Sequence, residues 1–104
     1  MIVSTTEAIP GASVAQVLGV AMGNTVRSKS VGKDIGAGFK SLAGGELKSY
    51  TAMLTEAREE AIARMVESAQ GMGADAVIMA RFTTSAITEG AAELLAYGTA
   101  VKLA

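Results

Sequence analysis

A chain of 104 residues that is 50% apolar and 18% charged, with no Cys, no His and no Trp, excludes many chemistries at once. Without Cys there is no disulfide frame, thiolate metal site or cysteine nucleophile, and without His there is no imidazole base, imidazole ligand or Ser-His-Asp triad. With a formal net charge of −1, nine basic and ten acidic residues must wet a surface of about 5,400 Å², which predicts self-association; the competing reading is a well-packed, Ala-rich monomer.

Met1–Glu7 has neither a basic n-region nor an apolar core, so no secretory leader is read there and the expected location is cytoplasmic. Ile2–Thr6 is short and β-branched, and Pro10-Gly11 marks a turn. Ala8–Val26 runs 19 residues without a charge, near membrane-spanning length. Pro10, Gly11, Ser13, Gln16 and Asn24 suit hydrocarbon poorly, however, and alternation suits a strand better. From Val14 the alternation places Val14, Gln16, Leu18, Val20, Met22, Asn24 and Val26 on one face. The other face carries Ala15, Val17, Gly19, Ala21, Gly23, Thr25 and Arg27. Both faces are apolar or small, as in a strand covered by a helix on one side and a neighbouring copy on the other.

Arg27–Lys33 reads as a polar loop, and Asp34–Leu42 as a short helix with Ile35, Phe39 and Leu42 on one side. The longest helix runs from about Glu46 to about Met72. Its apolar stripe is Leu47, Tyr50, Leu54, Ala57, Ala61, Met65, Ala69 and Met72, widened by Ile62 and Val66. Glu60 and Arg64 stand in the favourable i,i+4 order. Strands follow over Asp75–Ser85 and Glu93–Leu103, joined through Ala86–Ala92 as an antiparallel hairpin. Alternation puts Ala76, Ile78, Ala80, Phe82 and Thr84 on one face of the first of these. The whole reads as one α+β domain over residues 1–104, an antiparallel sheet wrapped on one long helix, with an additional short helix.

Few motifs carry chemistry. Gly71-Met72-Gly73-Ala74-Asp75-Ala76 spells a dinucleotide fingerprint, but the order is helix, glycines, strand, so a helix stop is the better reading. Between Arg27 and Lys48 five bases (Arg27, Lys29, Lys33, Lys40 and Lys48) stand against Asp34 and Glu46, a cluster that suits either an anion or a solvated face. The 4% aromatic content argues against nucleic acid as a partner. Metal binding would rest on carboxylates, because the soft-metal donors Cys and His are missing; the Met thioethers read as core fillers. Arg81 and Glu93 are placed to meet as an ion pair across the hairpin.

Several blocks together resemble the YbjQ-like family. They are Ile2-Val3-Ser4-Thr5-Thr6 with Ile9-Pro10-Gly11, then Gly23-Asn24-Thr25-Val26-Arg27-Ser28, then Gly44-Gly45-Glu46-Leu47-Lys48-Ser49-Tyr50-Thr51. Ala57-Arg58-Glu59-Glu60-Ala61, Gly73-Ala74-Asp75-Ala76-Val77-Ile78, Arg81-Phe82-Thr83-Thr84-Ser85 and Ala96-Tyr97-Gly98-Thr99-Ala100-Val101 complete the set and cover nearly the whole chain in order. The resemblance implies a dodecin-like subunit assembled as a ring-shaped homopentamer, in a family labelled as heavy-metal-binding, and it brings no catalytic residue with it.

The expectation from these readings is a non-enzymatic homo-oligomer whose partner is itself, with neither a membrane nor nucleic acid as partner. Its ligand would sit at a subunit boundary or on the ring axis. Arg27, Glu46 and Arg81, polar residues in the family-like blocks, are the candidate ligand residues. A divalent metal ion held by carboxylates such as Glu46 and Glu89, repeated by symmetry, is the second expectation. An anion or phosphometabolite module, or a small enzyme, using Arg27, Lys29 and Lys33 is the alternative.

Overall fold

The structure, a computed structural model, describes residues 1–28 and 45–104, and within the helix the side chains from residue 48 onward. The elements are β1 (Ile2–Val3), β2 (Val14–Ser28), α1 (Gly45–Gly71), β3 (Ala76–Thr88) and β4 (Ala91–Leu103). The strands form one sheet in the order β1-β3-β4-β2, with α1 lying across one face. β2–β4 and β3–β4 are antiparallel, whereas β1 runs parallel to β3. The sheet is therefore mixed, not wholly antiparallel. Among the described residues there is one helix; the additional short helix expected over Asp34–Leu42 lies outside the described residues.

The turn chemistry is legible residue by residue. Pro10 and Gly11 occupy the centre of a type II turn: Gly11 has φ 83° and the Ala12 N–H donates to the Ile9 carbonyl at 3.1 Å. α1 ends in a Schellman motif. The Ala74 N–H donates to the Ala69 carbonyl at 3.1 Å, the Gly73 N–H donates to the Gln70 carbonyl at 3.0 Å, and Gly73 takes φ 81°. Ala74 then packs against the cluster that contains Ala69, the apolar contact that accompanies this cap. The Gly71–Ala76 block is thus a helix stop.

Bulges in β2 and β3 reset the alternation. Register shifts between Val14 and Gln16, and between Val17 and Gly19, leave Leu18 packing with Ala21 on the helix side, while Val17 pairs with Val101. In β3 three steps, from Ile78 to Arg81, oppose two in β4, from Thr99 to Tyr97. Ala76 and Ile78 consequently lie opposite to the helix, while Ala80 joins Val77 on the helix side. The single faces expected by strict alternation for Val14–Val26 and for Ala76–Thr84 are corrected by these extra residues, each of which flips every side chain that follows.

The core has two parts on opposite faces of the sheet. Ala21, Ala61, Met65, Ala69, Val77, Ala96 and Ala100 form the cluster between α1 and the sheet. Ala76, Ile78 and Val101 form a smaller one, covered by Ile9 and Leu103. Close approach makes the first cluster possible. A Cβ on Gly23 would lie 2.2 Å from the Met65 backbone nitrogen and 2.4 Å from the Ala61 carbonyl oxygen, so the helix backbone rests directly on β2 there. The chain folds into a body of 55 × 22 × 16 Å with a radius of gyration of 17.2 Å, against about 13 Å for a compact domain of this length.

Candidate functional site

The face of the sheet turned away from α1 is the most unusual surface. Val17, Val20, Met22 and Val26 of β2 project there, with Val20 57%, Met22 54% and Val26 50% exposed. Met79 of β3 and Tyr97 of β4 continue the patch, and Tyr97 stands in register with Met22 on one side and Arg81 on the other. Residues 81–90, the far half of β3 and the turn at Glu89-Gly90, are exposed at every position.

Within this face a shallow cavity of about 310 Å³ is lined by Val20, Met79, Arg81, Tyr97, Gly98 and Thr99. The β3 bulge creates it. Met79 takes φ 54°, a left-handed conformation that a non-glycine residue rarely adopts, and its N–H donates to the Thr6 carbonyl at 3.1 Å. The opposing residue must be Gly98, whose Cβ would meet Val77 Cγ1 at 2.5 Å and the Ile78 carbonyl oxygen at 3.0 Å. Arg81 emerges directly after the bulge, and its Nη1 donates to the carbonyls of Thr5 and Ala80, each at 2.9 Å. Among the described residues no carboxylate pairs with it. The expected Arg81–Glu93 pair does not form: Glu93 stands opposite Ser85, four positions along, and its carboxylate accepts from Asn24 Nδ2 at 3.1 Å.

Arg27 is committed elsewhere. It lies in the seam between β2 and α1, with its side chain 24% exposed; Nη1 donates to Thr25 Oγ1 at 2.9 Å and Nη2 pairs with Glu60. Glu60 also pairs with Arg64, as its i,i+4 spacing predicts, and Arg64 Nη1 donates to the Asn24 carbonyl at 2.6 Å. The hydrogen bond from Arg27 holds the Glu60 carboxyl below the usual carboxylate range; partial loss of water opposes this, and the charges of Arg27 and Arg64 reinforce it. The arrangement pins helix to strand and leaves Arg27 with its charge neutralised. Arg27 and Arg81 are not brought together. Arg27 on β2 faces the helix and Arg81 lies on β3, with β4 between them and about 16 Å along the strands by register. Glu46 begins α1, with its side chain outside the described residues, as are Lys29 and Lys33. Val20, Met79 and Tyr97 are cavity residues that pattern reading did not single out as a site. Their only signal was an apolar outward face, and the bulge that joins them to Arg81 has no letter in the sequence.

The donor set does not suit a soft metal. The chain has no Cys and no His, and among the described residues no three Asp or Glu side chains converge. Among the described residues no helix is long and apolar enough to cross a membrane.

The geometry defines a class: a two-layer α+β domain with one sheet face packed on a helix and much of the other apolar and exposed. A family model described as "Putative heavy-metal-binding", the YbjQ model, matches residues 1–104, and the chain belongs to that family. A UPF0145 protein from Methanoculleus marisnigri is 63% identical over 103 residues, covering 99% of this chain and 96% of the relative. One from Thermosipho melanesiensis is 60% identical over 103 residues, covering 99% of this chain and 95% of the relative. A crystal structure of a protein with unknown function of the DUF74 family, from Pediococcus pentosaceus, superposes with a TM-score of 0.62 at 16% identity. It covers 100% of this chain and 98% of that one, and it shares the fold.

Proposed function

We propose that this chain is a non-catalytic, cytoplasmic subunit of a ring-shaped homo-oligomer, a homopentamer as the family resemblance implies. Neighbouring copies would cover the outer face of the sheet, and a small ligand would bind where two copies meet. The observation that carries this reading is the set of large apolar side chains on the outer face, Val17, Val20 and Met22 continued by Met79 and Tyr97, with Val26 beyond the hydrogen-bonded Asn24 and Glu93. Soluble monomers rarely expose contiguous apolar surface of this kind, and a heterologous contact repeated by rotation closes into a ring. The free edges of β2 and of the far half of β3 support the same reading, since each presents unpaired backbone donors and acceptors.

The donor set separates the boundary ligand from a soft metal ion. Light scattering behind size exclusion tests the assembly. The wild-type chain is expected to elute as one species of several subunits at micromolar concentration. The Val20→Asp/Met22→Asp double variant is expected to elute as a folded monomer. A monodisperse wild-type monomer contradicts the reading.

A further inference from the structure

We infer that the cavity formed by the β3 bulge binds an organic carboxylate, with its apolar body on Tyr97, Met79 and Val20 and its charge on Arg81. The inference gives a chemical class to the boundary ligand proposed above, and it rests on that reading for the cover that closes the cavity.

Three independent observations converge on this class. The first is shape: the cavity holds about 310 Å³, at the small end of ligand pockets, and it spans three strands. Its lining includes Tyr97, Met79 and Val20, residues that suit a flat or branched apolar body. The second is charge. Arg81 is oriented by two backbone carbonyls that both engage Nη1. Neither is a carboxylate, so the positive charge is held in place without being neutralised, and the Nε and Nη2 donors are not used by these contacts. A guanidinium in that state presents a fork suited to a carboxylate. The third is strain: Met79 adopts φ 54° at the step that places Arg81 on the cavity wall, and such backbone persists where the surroundings enforce it.

The same observations separate this site from the other arginine. Arg27 also lines a cavity, of about 400 Å³ and bounded by Tyr50, Met53 and Leu54, but its charge is neutralised by Glu60. An anion arriving there would have to displace a carboxylate already in place. At Arg81 no carboxylate among the described residues has to be displaced. Covering the outer face with another copy would bury a guanidinium that has no carboxylate partner among the described residues, which is costly unless an anion enters with it. The ligand class and the assembly thus support each other.

The experiment uses the full chain with 13C-methyl-labelled methionine, whose six methyls include Met79 in the cavity and Met53 and Met72 outside it. Phenylacetate is titrated in, with 2-phenylethanol (same body, no charge), acetate and inorganic phosphate (charge, no body) as separate arms, and light scattering is run on each sample. Phenylacetate is expected to shift the Met79 methyl saturably while Met53 and Met72 stay still. 2-Phenylethanol should bind at least about tenfold more weakly, and acetate and phosphate should leave Met79 unmoved. Arg81→Gln should weaken phenylacetate by at least about tenfold with subunit mass unchanged, and Arg81→Lys should not restore it, since a point charge lacks the fork. Equal binding of phenylacetate and 2-phenylethanol, an unchanged titration in Arg81→Gln, or no saturable shift at millimolar phenylacetate would each overturn the assignment. A wild-type monomer in the light-scattering arm would instead overturn the assembly. If Arg81→Gln fails to fold, Arg81→Lys and the comparison of ligands in the wild-type chain still decide the question.

Discussion

The two faces of the sheet invert the usual arrangement. On the helix side the residues are small: Ala21, Gly23 and Thr25 of β2 meet Ala57, Ala61 and Ala69 of α1, and Met65 is the largest side chain among the fully buried ones. On the outer side they are large: Val17, Val20, Met22, Val26, Met79 and Tyr97. Among the described residues seven of the twelve buried apolar residues are Ala, each contributing roughly 0.8 kcal/mol of burial against about 1.5–3 kcal/mol for a buried Val, Leu or Met. A single copy therefore spends its small residues on its own core and presents its bulky ones outward. Close backbone approach, not side-chain volume, holds helix to sheet, and the side chains able to contribute most by burial remain exposed on a single copy.

Substitutions on the two faces should therefore fail in different ways. The largest effect is expected at Gly23, where a methyl group would meet the helix backbone at 2.2 Å and 2.4 Å, with no flexible side chain to yield. Gly23→Ala should cost about 3 kcal/mol or more and lower the midpoint of denaturant unfolding, with α1 lifting from β2. On the outer face, Val20→Asp with Met22→Asp should abolish assembly at little cost to the fold of one copy, read as a monomer mass with an unchanged far-ultraviolet circular dichroism spectrum. If the monomer unfolds instead, the outer face contributes to the fold of a single copy and the contrast between the faces fails.

Smaller effects sharpen the same contrast. Gly73→Ala should cost about 1–2 kcal/mol, because the cap of α1 needs φ 81° at that residue; thermal unfolding measures it, and subunit mass should not change. The smallest effect concerns pH. The Glu60 carboxyl is held below its ordinary value of 4.5 in the folded chain by Arg27. Its contribution to stability is therefore fully present above that ordinary value and is lost as pH falls through the lowered one. Glu60→Gln should flatten this acid limb and leave the shape of the stability profile between neutral and mildly alkaline pH unchanged. An acid limb as steep in the variant as in the wild type would remove Glu60 from this role.

Much of the fold was legible because its signals are local. The stripe Ala57, Ala61, Met65 and Ala69 marks the buried side of α1, Gly73 its stop, and Pro10-Gly11 a turn of definite type. The i,i+4 order of Glu60 and Arg64 gave a real ion pair. What could not be read is what depends on an extra residue in a strand. The bulges at Val17–Gly19 and Ile78–Arg81 reverse the faces that alternation predicts, pack Leu18 against the core and set Arg81 opposite Tyr97, while the register of the hairpin places Glu93 at Ser85. The parallel pairing of β1 is equally invisible, since two β-branched residues say nothing of which edge they will find. Of the three candidate ligand residues, Arg27 serves an internal seam because Glu60 lies 33 residues away in sequence but adjacent in space. That contact follows from the helix crossing the sheet and has no pattern along the chain.

The absence of cysteine offers a direct test of whether other copies cover the outer face. Met22→Cys places a lone thiol at its centre, and Glu59→Cys places one on the exposed side of α1. The rate of alkylation of each is measured across a dilution series. The account predicts that the thiol at position 22 reacts far more slowly than the one at position 59 at micromolar concentration, and that the gap closes as dilution separates the copies. Equal, concentration-independent rates at the two positions would contradict it.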